Sequence, residues 1–333
     1  MNKKSFVKSL LAKIRQSDLM VLILVLIALC VVATIMMPDL FLTERNIMTT
    51  LRQVSLTAIC GFGLTMVLLV GEIDLSVGSQ QGVAGVSAVF VLNATHSIAL
   101  AIIAALVCGV AVGALNGVLV TNGKINSLIA TLGTMAIWRG TTMVITGAVS
   151  IQSEVDAFQN FATGFIGPVP NAVVLAFVLF IVIYYILNHT TFGRYIYAIG
   201  GNVEASRLSG LPVNKIKLLV YSICGLLTML SGVLLASRMS SAQPTAGMGF
   251  EMLVIASVIL GGVSLTGGVG TISGALIGML ILGVLQNMLT LMDVSSFWQD
   301  ITRGIVIILA VFVDGVRKES IAKRLVREQK QLQ

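Results

Sequence analysis

The sequence has little charge: only 11% of its 333 residues are Asp, Glu, Lys or Arg, whereas a soluble domain carries about 25%. Hydrophobic residues make up 56% of the chain, and the mean hydropathy is +0.99. A single soluble core cannot bury that much apolar surface, which argues against a soluble enzyme and against a disordered protein. The composition therefore indicates a protein whose solvent is a lipid bilayer.

Residues for disulfides, metal sites and nucleophilic chemistry are also scarce. The four cysteines lie inside apolar runs without Cys-x-x-Cys spacing, which supports neither a disulfide framework nor a metal site. The two histidines, His96 and His189, are isolated near the ends of apolar segments. The ATP-binding motif Gly-x4-Gly-Lys-Ser/Thr does not occur, since Gly123-Lys124 is followed by Ile125. The sequence thus predicts a protein that is not an enzyme and binds no metal or cofactor of its own.

Apolar runs recur along the chain, and a bilayer span needs about 20 such residues. The first run, Leu19–Met37, follows five basic residues and is longer than a signal-peptide core of about 7–15 residues, so we interpret it as a retained span. We predict an all-α polytopic bundle of about ten spans (eight to ten) that forms one transmembrane domain over residues 1–333. The short runs near Gly71 and Gly262 are candidates for re-entrant segments. The other runs are Val54–Val70, Gly78–Leu92, Ile98–Val120, Ser127–Thr146, Val173–Leu187, Leu218–Ala236, Met252–Gly262, Ile272–Leu291 and Ile301–Val313.

Basic residues predict the orientation of the bundle. If the N-terminus is cytoplasmic and the spans alternate, 16 of the 21 Lys and Arg residues fall on the cytoplasmic side, as the positive-inside rule requires. The cytoplasmic parts are then the basic N-terminus 1–18, the loop 188–217 and the basic tail 317–333. The net charge of +7 is therefore an orientation signal. The chain has no basic-aromatic stretch, so we expect membrane lipid and not nucleic acid as a partner.

Glycine is abundant, with 33 residues, and several glycines recur at four-residue spacing. Small residues at every fourth position let helices approach closely in lipid, so the spacing predicts a tightly packed bundle. The glycines concerned are Gly109, Gly113 and Gly117, then Gly78 and Gly82, then Gly274 and Gly278.

Two breaks in the apolar pattern resemble each other. Gly71–Gly78 aligns with Gly261–Gly268: the terminal glycines match, and Leu75 aligns with Leu265. Matched breaks in two halves of a chain are typical of transporters in which half-helix ends surround a substrate path. Coincidence in a glycine-rich chain is the equally weighted alternative.

Polar residues inside the apolar runs are candidates for a transport path. Glu72 and Asp74 lie between glycines, where capping or packing by Asp74 or Ser76 is favoured over substrate contact. Arg139 lies roughly 18 Å along its span from Ser127, which suits either a polar path or snorkelling to the outer interface. For the amides, hydrogen bonding between helices is the favoured alternative. The candidates are Glu72, Asp74, Ser76, Asn116, Asn126, Arg139, Gln286 and Asn287.

The long cytoplasmic loop 188–217 specifies a short helix. Asn202 is a good N-cap, and Glu204 complements the positive end of the helix. Gly210 suits the left-handed residue after the helix, and Pro212 blocks its continuation. A helix of about seven residues is too short to be stable alone. It must dock either on its own chain or on a cytoplasmic partner.

Together these motifs resemble the permease subunits of ATP-binding-cassette (ABC) importers, whose coupling segment reads Glu-Ala-Ala, three residues, Gly. This chain has Glu204-Ala205-Ser206 and then Gly210, with Ser206 in place of the second alanine. The Gly-Gly-Asn-x-Glu-Ala stretch and the two glycine-bounded breaks are similar to the ribose/galactose/arabinose branch, and most similar to its ribose-type permeases. The resemblance implies that the chain contacts an ATPase through Gly201, Asn202, Glu204, Ala205, Ser206 and Gly210.

The resemblance also implies a function and partners. The chain would be a multi-pass permease of the bacterial inner membrane that carries ribose or a similar pentose or hexose, as a homodimer with a second copy. A separate ABC ATPase subunit would use ATP and Mg, and a periplasmic sugar-binding protein would dock on the outer loops Gln152–Pro170 and Ser237–Phe250. The alternative is an ion-coupled secondary sugar transporter in which Glu72 and Asp74 are proton or cation ligands.

Overall fold

A computed structural model describes residues 18–306 together with 308, 309, 312 and 315. The predicted basic tail 317–333 lies outside this part of the chain, as does the predicted basic N-terminus apart from Asp18. Residues 296–306 are helical and include the first part of the last predicted apolar run. The α-helices before residue 296 are α1 (Asp18–Met36), α2 (Glu44–Leu69), α3 (Val77–Thr95), α4 (Ile98–Thr121), α5 (Ser127–Thr146), α6 (Gln159–Thr163), α7 (Asn171–His189), α8 (Thr191–Gly201), α9 (Val203–Leu208), α10 (Val213–Met239), α11 (Phe250–Leu260) and α12 (Ile272–Leu291).

The predicted all-α membrane bundle is confirmed. Within the described chain, seven helices are long and apolar enough to cross a bilayer, namely α1, α2, α4, α5, α7, α10 and α12. Helix α3 has 19 residues but carries Gln80 and Gln81, and the apolar helix α11 has only 11 residues. The total of about ten spans stays a prediction.

Two differences from the prediction concern the start of α2 and the loop 188–217. Helix α2 begins at Glu44, ten residues before the predicted Val54, because the Thr43 hydroxyl accepts a hydrogen bond from Asn46 N and caps polar turns that hydropathy does not detect. The loop 188–217 contains a second helix, α8, in addition to the short helix that was predicted. Its N-cap is Thr190, whose hydroxyl accepts from Gly193 N at 3.2 Å.

Helices α2 and α10 form the centre of the bundle. Helix α10 packs against α4, α2 and α3, and α2 also packs against α12, α7 and α11. The core therefore contains most of α2 from Val54 to its end. By contrast, α1 exposes most of its length and packs mainly on α12 through a small cluster with Ala33 and Val284.

The glycine stripes lie where helices cross most closely. A Cβ on Gly113 would overlap the Tyr221 carbonyl oxygen, and a Cβ on Gly225 would overlap the Gly109 carbonyl oxygen. Glycine at these positions lets the α4 and α10 backbones touch, which confirms the predicted tight packing.

Short strands connect the two large outer loops. Strand β1 (Ile151–Gln152) pairs antiparallel with β4 (Ser241–Ala242), and β2 (Phe165–Ile166) forms a hairpin with β3 (Val169–Pro170). The Arg52 guanidinium donates to the Thr163 carbonyl at 3.1 Å and lies 4.7 Å from the centre of the Phe165 ring. The loops that were predicted to receive a binding protein are thus joined by a ladder and anchored to α2.

Candidate functional site

The two predicted breaks have the same local structure. The first break, residues 70–76, follows α2, and the second break, residues 261–271, follows α11. Glu72 N donates to Val67 O at 3.0 Å, and Val263 N donates to Val258 O at 3.3 Å. Gly71 and Gly262 take the left-handed conformation, with φ +83° and +86°. The helix ends therefore align Gly71 with Gly262, one residue away from the sequence alignment.

After these glycines, the two breaks match again as in the sequence alignment, because equivalent residues accept a side-chain hydrogen bond from the backbone two positions later. In the first break, Asp74 Oδ1 accepts from Ser76 N at 2.9 Å. In the second break, Ser264 Oγ accepts from Thr266 N at 3.2 Å. The breaks thus share a backbone pattern but use different acceptors, a carboxylate in one and a hydroxyl in the other.

The two breaks contact each other and the loop 188–217 through glycine. Gly268 N donates to Leu69 O at 2.9 Å, which joins the second break to the end of α2. A Cβ on Gly200, in α8, would overlap the same Leu69 oxygen, and a Cβ on Gly267 would stand 2.7 Å from Gly71 Cα. We call Gly71, Gly200, Gly267 and Gly268 the glycine junction. It places the loop 188–217 directly against both breaks.

Helix α9 has the caps that its sequence predicts. Asn202 Oδ1 accepts from Ala205 N at 2.9 Å, and Gly210 has φ +79°. Ser206 is buried against the rest of the chain, whereas Leu208 is 89% exposed and Glu204 pairs only with the exposed Arg207. Helix α9 therefore presents an exposed apolar side chain beside an exposed charged pair.

Helix α8 is fixed to the second break by Tyr197. Its hydroxyl donates to the Gly270 carbonyl at 3.1 Å. Burial raises the pKa of the Tyr197 phenol, so the group stays a neutral donor at physiological pH. The α8–α9 segment is therefore connected to the breaks by both side-chain and backbone contacts.

Three of the predicted path residues form one buried cluster. Asp74 Oδ1 also accepts from Ser76 Oγ at 2.6 Å, and Asn116 Nδ2 donates to Ser76 Oγ at 2.8 Å. Asn116 Nδ2 lies 3.4 Å from both Asp74 oxygens, and Gln80 Nε2 donates to Ser76 Oγ at 2.7 Å. Ser76 occupies the N-cap position of α3 without a side-chain cap bond, so Asp74 is the residue that holds this turn. These contacts agree with a packing role.

Glu72 and Asn126 border a different space, on the side predicted to be cytoplasmic. Glu72 forms an ion pair with Lys217, and about an eighth of each side chain is exposed, 12% and 13%. Both residues line an inner cavity of about 1030 Å³, together with Lys124 and Lys215. Asn126 also caps α5, since its Oδ1 accepts from Leu128 N at 3.0 Å.

Arg139 and Asn287 hold elements together. Arg139 Nη1 donates to the Pro244 and Ala246 carbonyls at 3.1 and 2.7 Å, which draws the outer loop onto α5. Asn287 and Asn46 exchange amide hydrogen bonds of 2.7 and 3.0 Å between α12 and α2. The favoured alternative for the amides, hydrogen bonding between helices, describes Asn287.

Gln286 lines a second space, in the outer half of the bundle by the predicted orientation. We call this cavity, of about 490 Å³, the outer polar pocket. Its other polar lining residues were missed in the sequence because they come from helices distant in the chain. The four-residue spacing of Gln53 and Thr57 was a local signal for a polar face on α2. The polar lining residues are Gln53, Thr57, Gln81, Arg238, Gln286 and Arg303.

Comparison with known proteins gives consistent matches. Residues 46–311 match the family described as the permease component of the branched-chain amino acid transport system. The chain is 46% identical over 301 residues to the ribose import permease protein RbsC of Escherichia coli (strain K12), covering 89% of this chain and 93% of the relative. It is 42% identical over 297 residues to RbsC of Bacillus subtilis (strain 168), covering 89% and 91%. It is 40% identical over 297 residues to the L-arabinose ABC transporter permease protein AraH of Azospirillum brasilense, covering 89% and 87%. No solved structure matches the chain.

Proposed function

The chain belongs to the family of permease components of the branched-chain amino acid transport system type, and from that premise we propose that it is the membrane subunit of an ABC importer for a monosaccharide. The family description names amino acids, but the relatives above are named as ribose and arabinose permeases. The protein is a multi-pass protein of the bacterial inner membrane. The similarity to ribose permeases over nine-tenths of the chain carries the proposal, and the cargo proposed first is ribose or a similar pentose.

The cytoplasmic partner is proposed to be an ABC ATPase that binds α9. Two observations support this surface: α9 exposes most of the Leu208 side chain, and the glycine junction connects α8 to both breaks. When the ATPase binds and hydrolyses ATP, movement of α9 would reach α2 and α12 through Gly200 and Leu69. This chain would itself bind no nucleotide. The ion-coupled alternative receives no support from the relatives.

A second copy of the chain and a periplasmic binding protein complete the proposed importer. Helix α5 supports the second copy, because its Gly133 and Gly140 have open space beside them and Ile137 between them is exposed. The substitution Ala136→Cys should then allow two copies to be cross-linked in membranes. The ladder between β1 and β4 supports docking of the binding protein, since it presents both outer loops as one surface.

The test is the substitution Gly210→Val in the assembled importer. A β-branched residue at φ +79° is strained, so the end of α9 must rearrange. We expect ribose uptake to fall at least tenfold, with loss of the ATPase stimulation caused by ribose-loaded binding protein.

The matched control is Gly147→Val, at the outer end of α5. Gly147 has φ +63° and open space for a Cβ, as Gly210 has, but lies on the opposite side of the predicted membrane. Equal uptake by the two variants, or uptake that persists without the ATPase subunit, would contradict the proposal.

A further inference from the structure

The outer polar pocket brings together polar side chains that lie far apart in the sequence. Gln53 and Thr57 come from α2, Gln81 from α3 and Gln286 from α12, and Thr57, Gln81 and Gln286 are buried. Burying uncharged amides and hydroxyls in a membrane protein is costly unless they find partners. Each of the three buried side chains has one protein partner, and the hydrogen-bonding capacity that remains faces one cavity, which therefore suits a polar ligand.

The pocket offers both donors and acceptors to a ligand. Gln81 uses its amide nitrogen on Ser231 Oγ at 3.0 Å, which leaves its amide oxygen for a ligand hydroxyl. Thr57 Oγ1 donates to Gln53 O at 3.4 Å and keeps its lone pairs as acceptors. Sugar hydroxyls both donate and accept, so mixed amide and hydroxyl groups suit them.

The charge of the pocket argues against a cation as its ligand. None of its described lining residues is acidic, and Arg238 and Arg303 both line it. Gln286 engages Arg303: in the amide orientation that gives its oxygen a donor, that oxygen accepts from Arg303 Nε at 2.7 Å and Nη2 at 3.0 Å. Arg238 remains at the exposed rim as a donor for a ring or hydroxyl oxygen.

Size and position also suit a small sugar. A volume of about 490 Å³ lies within the range of small-molecule sites, roughly 300–1,000 Å³. Phe250 supplies an apolar wall for the C–H face of a sugar ring. Gly247 and Met248 line the mouth, and they belong to the outer loop on which the binding protein is proposed to dock. A sugar released there would meet this pocket first.

We propose that the outer polar pocket is a monosaccharide-binding site within the permease, which receives the sugar from the binding protein and contributes to selectivity. This inference rests on the proposed function and extends it. Selectivity would then not belong to the binding protein alone.

Thr57→Val tests the site in the complete importer, reconstituted with its ATPase and binding protein. Valine keeps the shape of threonine and removes the hydroxyl. Loss of one hydrogen bond to a neutral ligand corresponds to a decrease of about three- to tenfold. We expect ribose uptake to fall by that factor and the uptake ratio of ribose to arabinose, xylose and galactonate to change. Thr57→Ser keeps the hydroxyl, so this variant should keep the ribose uptake of the unmodified importer.

Thr49→Val is the matched control. Thr49 lies two turns earlier on α2 and donates to a carbonyl four residues back, as Thr57 does, but it is exposed and does not line the pocket. If Thr57→Val and Thr49→Val give equal uptake and equal sugar ratios, the outer polar pocket is not a sugar-binding site, while the proposed importer function still holds. Preferential loss of galactonate uptake would assign the pocket to sugar acids instead. Absence of any sugar uptake by the unmodified importer would overturn the proposed function.

Discussion

The two breaks end their preceding helices in the same way but bury different chemistry. The first break contains Glu72, which pairs with Lys217 of α10, and Asp74, which contacts Ser76 and Asn116 of α4. The second break uses the neutral pair Ser264 and Thr266. The second break is also longer. When the two breaks are aligned as in the sequence, α12 begins five residues further along the chain than α3 does. The two breaks thus share a backbone pattern but differ in role. We call the first break a polar centre, because it holds buried charged or ionisable side chains, and the second a spacer, because its side chains are neutral. The comparison can be tested at four places.

The largest effect should come from the glycine junction that both breaks share. A Cβ on Gly200 would overlap the Leu69 carbonyl oxygen, a backbone atom that cannot rotate away. For Gly200→Ala we expect the free energy of unfolding to fall by about 3 kcal/mol, which is near the upper end for overpacking. Thermal unfolding of the purified permease in detergent measures this change. Gly201→Ala is the control, because its Cβ meets open space. Equal unfolding midpoints for the two variants would show that the junction is not a close contact in the protein.

The next effect should separate the two breaks. Asp74→Ala removes the acceptor of Ser76 N and Ser76 Oγ inside a fully buried cluster. Leaving such donors unpaired costs about 1–3 kcal/mol, and more where a charged acceptor is lost. Asp74→Asn keeps one acceptor oxygen and should lose less stability than Asp74→Ala. If alanine and asparagine destabilise the permease equally, the hydrogen bonds are not what holds the first break.

A smaller effect is expected from the ion pair at the first break. For Glu72→Gln and Lys217→Gln, a double-mutant cycle on unfolding should give a coupling of about 1 kcal/mol, because both side chains are mostly buried. The pair Glu204–Arg207 is the control, since its side chains are 74% and 59% exposed. That exposed pair should couple by no more than about 0.5 kcal/mol. Equal coupling in the two pairs would mean that burial does not strengthen the contact at Glu72.

The smallest effect should come from the second break. Ser264→Ala removes a buried neutral hydroxyl that contacts N at 3.2 Å and Oγ1 at 3.0 Å of the exposed Thr266. We expect the free energy of unfolding to fall by about 0.5–1.5 kcal/mol, which is less than for Asp74→Ala in the same unfolding assay. A loss for Ser264→Ala as large as that for Asp74→Ala would remove the distinction between polar centre and spacer.

Local signals were sufficient to predict helix α9 and the ends of most spans. Asn202, Gly210 and Pro212 act on residues within four positions, so their effect can be read from the chain itself. Helix α8 was missed even though Thr190 supplies a cap, because an 11-residue helix between two spans resembles a loop in hydropathy.

Contacts between distant residues could not be predicted. Glu72 and Lys217 are 145 residues apart, and Gln53 and Gln286, which approach within 3.3 Å, are 233 apart. No periodicity relates such positions, so the inner ion pair and most of the outer polar pocket became visible only in the fold. The one prediction that did cross the chain, the matched breaks, relied on glycine because both breaks need the same left-handed turn.

The bond between Gly268 N and Leu69 O has a consequence for how this protein would be dissected. Both atoms belong to the main chain, so an alanine scan leaves the bond chemically in place and can disturb it only by adding bulk nearby. Replacing the amide that precedes Gly268 with an ester, by semisynthesis or nonsense suppression, would delete the donor alone. Deep mutational data on this chain would consequently show that side chains are not tolerated at the glycines. Such data would not measure the backbone hydrogen bond that those glycines make possible.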